Sequence, residues 1–266
     1  MALLELDQAT FSYPNGVLAV DGVSFSIDQG ESVAIIGQNG AGKTTTVKMI
    51  NGLFRPSSGT VSVAGIKTTD RTAAATARDV GYVFQNPDDQ IFNNTVFSEI
   101  EYALKRFKVG VDEAKEKVEA AAELCGIQDD LETNPYDLPL SIRKFITIAS
   151  VLAVDTKVVI LDEPTAGQDL VGLNRIAHII DHLQQAGKTI ITITHDMEFV
   201  AEHFHRIIVM ANRKVVADGE SSRVFEDTAV METARLRQPV LARCYAELGL
   251  HGADIRVSDL LSRINA

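Results

Sequence analysis

Nowhere in its 266 residues does the chain run through 18 apolar residues together, so no transmembrane helix is expected. Met1 opens a polar-alternating stretch rather than a basic segment followed by an apolar one, so no signal peptide is expected either. A protein of this kind that works at a membrane must dock onto something that spans it. Cysteine is scarce. Cys125 and Cys244 lie far apart and form no C-x-x-C pair, which points to a reduced, cytosolic compartment and to packing rather than thiol chemistry. Basic residues are outnumbered, 25 Lys and Arg against 36 Asp and Glu, for a net charge of −11. That balance argues against a broad nucleic-acid footprint, which needs a basic face. What is present is ordinary for a globular protein: 45% hydrophobic and 23% charged residues, in a chain long enough for one large or two modest domains.

One stretch organises the rest. Gly37, Gln38, Asn39, Gly40, Ala41, Gly42, Lys43, Thr44 and Thr45 match the pattern G-x-x-x-x-G-K-[ST] of a phosphate-binding loop. A strand-like apolar run, 32–36, precedes it and a helix-like stretch, 46–50, follows. Glycines let the backbone curl so that successive N–H groups face a polyanion, and the helix adds its positive end. Lys43 supplies a mobile charge for β- and γ-phosphates, and the Thr44 hydroxyl is suited to Mg²⁺.

Around this loop the chain reads as strands first. Residues 3–27 form two of them about the turn Pro14-Asn15-Gly16, with strict alternation in Val23-Ser24-Phe25-Ser26-Ile27. Tyr13, just before that turn, reads most simply as half-buried sheet packing. The segment 56–59 reads as a turn, 60–64 as a strand and 80–84 as a buried strand that ends in a polar loop from Gln85 to Gln90. Helical patterns then take over across about 95–153. Val111, Ala114, Val118, Ala121 and Cys125 mark an inward stripe, and Glu113 and Lys117 are spaced for an i,i+4 pair. A helix is expected from Ser141 to about Leu152.

The apolar run 157–161 is of the buried parallel type and ends in Asp162, Glu163 and Pro164. Two carboxylates at the end of a buried strand need a reason, since burial opposes their charge; a Mg²⁺ partner followed by a base is one. A helix from Leu170 to Gln185 follows, ended by Gly187, then a buried strand 189–194 with His195 at its carboxyl end. Ligands of open α/β sheets gather at such ends, so the phosphate loop, Gln85, the acidic pair and His195 are expected to converge on one site. Residues 207–210 and 214–217 read as a closing hairpin.

The order of these motifs resembles the ATP-binding-cassette (ABC) ATPases over about 1–220. The resemblance rests on Tyr13, the phosphate loop, Gln85, the 158–163 strand with its acids, Ala166-Gly167-Gln168-Asp169 and His195. Phe84-Gln85-Asn86-Pro87-Asp88-Asp89-Gln90-Ile91-Phe92 is similar to the Q-loop of energy-coupling-factor (ECF) transporter ATPases, which drive uptake of vitamins or of cobalt and nickel. Leu236-Arg237-Gln238-Pro239-Val240 and Tyr245-Ala246-Glu247-Leu248-Gly249 look like their C-terminal extension. The resemblance implies a P-loop α/β fold, a mixed sheet core with a β subdomain and a helical subdomain (about 92–155), and a dimerisation extension over 221–266. It implies an ATPase using ATP and Mg²⁺. Tyr13 would stack on adenine, and Asn39, Gly40, Ala41, Gly42, Lys43, Thr44 and Thr45 would wrap the phosphates. Thr44, Gln85 and Asp162 would hold Mg²⁺, Glu163 would polarise the attacking water, and His195 would sense the γ-phosphate. Asp169 would lie in a loop crossing a dimer interface. The implied partners are a second ATPase subunit, a transmembrane coupling subunit seated by the Gln85–Phe92 groove and a substrate-binding membrane subunit, with the chain peripheral on the cytoplasmic face.

One departure stands out. The family signature L-S-G-G-Q, followed by a K-Q-R-V-A-I-A helix, aligns with Leu138, Pro139, Leu140, Ser141 and Ile142, followed by Arg143-Lys144-Phe145-Ile146-Thr147-Ile148-Ala149. Pro139 replaces the signature serine and has no donor; Leu140 replaces a glycine and crowds a backbone approach. In the family this signature covers the nucleotide of the partner subunit. A chain that holds ATP but offers a poor lid is expected to pair with a different ATPase bearing an intact signature, with Ser141 compensating in part by capping its helix. A soluble non-transport ATPase is the competing class, but the long coiled coils of repair members and the second cassette of translation factors are absent. An ATP-binding regulatory subunit is opposed by intact Glu163 and His195, and a GTPase by the lack of N-K-x-D.

Overall fold

The computed structural model describes residues 2–250; residues 251–266 of the expected extension lie outside the described residues. The chain forms two compact units, one from the residues up to 73 together with those from 191 onward, the other from 74–190.

In the first unit, β1 (Ala2–Ser12) pairs antiparallel with β2 (Leu18–Asp28) and β4 (Ser58–Val63), and β5 (Ile66–Lys67) extends the sheet beyond β4. The alternation read from sequence is real: Val23, Phe25 and Ile27 are buried while Ser24 and Ser26 are exposed. β4 begins at Ser58, inside the expected turn, because Thr10 and Ser58 already pair across the ladder. β3 (Ser32–Ile36), apolar and buried after Ser32, pairs parallel with β9 (Arg206–Ala211), which pairs antiparallel with β10 (Lys214–Glu220), giving a mixed arrangement. Arg206 ties these layers: it donates to Asp218 (2.8 Å), Glu31 (3.0 Å) and the Ser26 carbonyl (2.9 Å). The helix α1 (Lys43–Ile50) starts at the phosphate-loop lysine, three residues earlier than its apolar pattern suggests.

The second unit follows a short helix, α2 (Ala73–Thr76), at which the chain passes from one unit to the other. Its strands β6 (Val80–Val83) and β7 (Val158–Asp162) are buried throughout and pair in parallel. Between them come α3 (Val96–Arg106), α4 (Val111–Cys125) and α5 (Leu140–Leu152), the expected helical segment. α3 is closed by a capping box of Thr95 and Ser98. In α4 the stripe is Ala114, Val118, Ala121, Ala122 and Cys125; Val111 is 82% exposed, because it occupies the first turn, beyond the packed face. The Glu113–Lys117 pair forms, at 3.6 Å. α6 (Leu170–Gln185) has the bounds expected, with Asp169 as its N-cap and Gly187 in a left-handed turn after it. β8 (Thr189–Ile193) carries the chain back to the first unit.

There α7 (Met197–His203), α8 (Ser221–Glu226), α9 (Thr228–Ala234) and α10 (Val240–Glu247) complete the described chain. The described part of the expected extension is packed: Phe225, Ala234, Ala242 and Tyr245 are buried, and the Val240 N–H donates to Glu198 at 2.8 Å. No helix among the described residues is long and apolar enough to cross a membrane.

Candidate functional site

The candidate residues divide between the two units. The first holds Tyr13, the 39–45 loop and His195; the second holds Gln85, 138–142, Asp162, Glu163 and Asp169.

The buried β3 delivers the chain into the loop at Gly37. A Cβ on Gly37 would lie 2.1 Å from the Met210 carbonyl oxygen, and one on Gly42 would lie 2.6 Å from that of Ala19. Both have positive φ, 149° and 102°, so side chains are excluded by backbone on both sides and by conformation. Gly42 also serves as the N-cap of α1, so no side chain covers the first turn of the helix. Lys43 is 6% exposed and folds over the loop, donating to the carbonyls of Gly37 (2.7 Å) and Gln38 (3.1 Å). Asn39 and Gly40 are exposed, Ala41 and Thr45 buried, and Thr44 half-buried.

Tyr13 is more than sheet packing. It is 38% exposed and stands edge-on to Phe11 and Phe54, which stack on one another at 4.7 Å. Its hydroxyl is 3.3 Å from that of Thr45, which ties this aromatic platform to the loop. His195, exposed, lies two residues past the end of β8, after Thr194; Asp196 behind it caps α7 by accepting from the Phe199 N–H at 3.0 Å.

In the second unit the acidic pair is buried, Asp162 at 1% and Glu163 at 6% exposure. Asp162 accepts a 2.7 Å hydrogen bond from the Tyr82 hydroxyl. Burial, then the neighbouring Asp162 charge and this bond, push the Tyr82 phenol far above its usual range, so it stays a neutral donor. Glu163 has φ of 51°, a left-handed conformation uncommon outside glycine. Gln85 is exposed at the end of β6, and its loop is fixed from one side: Gln90 accepts from the Phe84 N–H (3.0 Å) and donates to Thr147 of α5 (3.4 Å), while Arg143 pairs with Asp88 (2.6 Å). Lys144, 3% exposed, donates to the carbonyls of both Gln85 and Glu163. Burial lowers its pKa; the charges of Asp162 and Glu163 oppose that shift.

The signature position is open and apolar. Pro139 is the N-cap of α5 and makes no side-chain cap; Leu140 is 52% exposed and begins the helix. Ser141 lies inside the first turn, so the expected capping role for it fails: a residue past the N-cap cannot reach back to the first amides in N-cap geometry. Its carbonyl instead accepts from Gln168 at 3.2 Å. Asp169 is exposed and spends one carboxylate oxygen on the Gly172 N–H, at 2.8 Å.

Sequence reasoning passed over Tyr82, Lys144 and Gln90. For Tyr82 the sequence held no signal, because only the register sets it beside Ile160, two residues before Asp162 on the same face of β7. Lys144 did carry one, as a charge among Phe145, Ile146 and Ile148 on the buried side of a helix, though not one that names its partners.

A glycine-walled phosphate loop between a buried strand and a helix, on an α/β chain with a buried acidic pair ending a parallel strand, defines the phosphate-loop class of nucleotide-binding proteins. The chain belongs to the ABC transporter family of ATP-binding proteins, whose family model, described as "ABC transporter", matches residues 20–166. It is 34% identical over 244 residues to the energy-coupling factor transporter ATP-binding protein EcfA of Methanococcus maripaludis, covering 91% of this chain and 88% of that protein. A solved structure of cbiO1 from Clostridium perfringens, described as part of the ABC transporter complex cbiONQ, superposes with a TM-score of 0.77 at 31% identity, over 92% of this chain and 99% of that one. An ABC cassette solved as a dimer in a post-hydrolysis state with ADP and Pi matches with a TM-score of 0.76 at 25% identity, over 82% and 98%. Relatives from Methanosarcina acetivorans and Methanosarcina mazei are 36% identical, and the chain spans 43% of their length.

Proposed function

We propose that the chain is the ATP-hydrolysing subunit of an energy-coupling-factor importer, driving uptake of a micronutrient such as a vitamin, cobalt or nickel. The observation that carries it is the phosphate loop, closed to side chains at Gly37 and Gly42 and capped by Lys43, in a chain whose relatives include EcfA and cbiO1. In this reading Tyr13 stacks on adenine from its Phe11–Phe54 base. The 39–45 amides and Lys43 hold the phosphates, Lys43 exchanging its two loop carbonyls for phosphate oxygens. Thr44, Gln85 and Asp162 are hard oxygen donors of the kind Mg²⁺ takes alongside phosphate, and the ion would neutralise developing charge. Glu163 orients the attacking water and accepts its proton. His195 reads the γ-phosphate. Positioning supplies most of the rate in such transfers.

The chain would sit at the cytoplasmic face of a membrane, bound to a transmembrane coupling subunit and, through it, a substrate-binding subunit. The segment from Gln85 to Phe92 suits that contact: Phe92 is 59% exposed, edge-on to the half-exposed Tyr102, and Tyr136 anchors the segment by donating to Ile91 at 2.7 Å. The lid that the chain offers a partner's nucleotide is weak, since Pro139 and Leu140 present no side-chain donor. Loss of one transition-state donor costs about 10²–10³ in rate. The working assembly is therefore a pair of unequal ATPases, with the competent site on this chain's Lys43, Asp162 and Glu163, covered by a partner with an intact signature, and Asp169 in the loop between them. Glu163→Gln is expected to lower steady-state turnover by at least about 10² while leaving ATP binding intact; turnover within twofold of the parent contradicts the role of Glu163.

A further inference from the structure

Glu163 holds an unfavourable backbone conformation twice over. Its φ of 51° is disfavoured for any side chain larger than glycine, and Pro164 after it pushes the preceding residue toward extended geometry. Such a setting, with a penalty of about 1–3 kcal/mol, persists only where its surroundings over-determine it. The Glu163 carbonyl is bonded, at 3.2 Å, by the ammonium of Lys144, which also bonds the Gln85 carbonyl.

Lys144 is an unusual choice for this position. It lies on the buried side of α5 between Arg143 and Phe145 and is 3% exposed. Taking an ammonium out of water is costly unless its protons are accepted. A methionine would fill the same space without that cost. What the ammonium adds is reach: several donors on one mobile head, able to hold two carbonyls at once. Its neighbours on α5 fasten the same loop, Arg143 through Asp88 and the Thr147 carbonyl through Gln90. The 84–90 loop is thus bolted to α5 at three points, and Lys144 alone of the three also reaches Glu163.

We propose that Lys144 is a positioning residue, whose ammonium fixes the Glu163 backbone against α5 and the Gln85 loop and so aims the Glu163 carboxylate at the attacking water. The proposal rests on the reading of Glu163 as the group that activates water. It makes the base sensitive to the placement of the signature helix within the same unit, so the helix that covers a partner's nucleotide also sets this chain's own base.

The test is Mg-ATP hydrolysis by the full chain, purified with the subunits that accompany it, as Lys144→Met, Lys144→Gln and Glu163→Gln, with trinitrophenyl-ATP affinity and thermal unfolding measured alongside. Lys144→Met should lower kcat by about 10- to 100-fold, the range in which a misaimed catalytic group falls, with nucleotide affinity changed less than about threefold. Lys144→Gln, whose amide nitrogen keeps two N–H donors on a shorter side chain, should recover part of kcat. In the Glu163→Gln background Lys144→Met should lower the residual rate less than about twofold, since residues acting as a unit are not additive. A kcat of Lys144→Met within twofold of the parent overturns the proposal, as do parallel losses of affinity and kcat in both Lys144 variants or multiplicative losses in the double variant. If Glu163→Gln alone keeps full turnover, the reading of the base fails first and the proposal falls with it.

Discussion

At Asp162 one hydroxyl shows how a carboxylate is kept inside a protein. The side chain is 1% exposed, and Tyr82, itself buried, donates to it at 2.7 Å. A hydrogen bond to a charged group contributes about 1.5–3 kcal/mol. Tyr82→Phe keeps the ring and removes only the donor, so it should destabilise the protein by about that amount. Urea unfolding checks this through the midpoint at unchanged slope; a midpoint equal to the parent's would mean the bond contributes nothing. The positions of the phosphate loop after β3, of the acidic pair at the end of β7 and of His195 after β8 were open to sequence reading, since each sits in a short contiguous signal. Tyr82 and Lys144 were not read because each acts through a partner about 80 or 19–59 positions away in the chain, and only strand register or helix packing creates those meetings.

Elements were legible where burial imposes a period. β7 is apolar up to Asp162 because it is buried along its whole length, and α6 was bounded correctly because Asp169 and Gly187 are strong end signals. Misreadings cluster at helix starts. α1 begins at Lys43 because the loop geometry, not the apolar pattern, opens it; Val111 and Ser141 sit in first turns, where position on the helix overrides residue type. Packing between elements was invisible to periodicity. Gly81, inside β6, lies against the end of α5 so closely that a Cβ would be 2.4 Å from Val151 Cγ1 and 3.0 Å from Thr156 Oγ1. Gly81→Ala should therefore destabilise the chain by about 1–3 kcal/mol through overpacking, despite alanine's better fit to a regular strand. Thermal unfolding reads this directly, and a rise in Tm would show that β6 and α5 separate without penalty.

For the whole molecule, the proposed pairing turns on a difference between the phosphate loop and the signature position. The phosphate loop is walled by Gly37 and Gly42 and covered by Lys43, whereas the signature position presents Pro139, which makes no side-chain cap, and an exposed Leu140. The described part of the extension, through α10, packs its Ala242 and Tyr245 inward and leaves Val240 and Leu248 exposed. In the proposed function these residues make the chain one half of an unequal pair, and self-pairing tests that proposal most directly. The measurement is the solution mass of purified Glu163→Gln protein, with and without Mg-ATP, since blocking hydrolysis traps any closed dimer the chain is able to form. The account predicts a protein that binds ATP and keeps the mass of one chain until a partner ATPase is added. A homodimer that appears only with Mg-ATP would show that Leu138 to Ile142 still serves as a lid, and would contradict it.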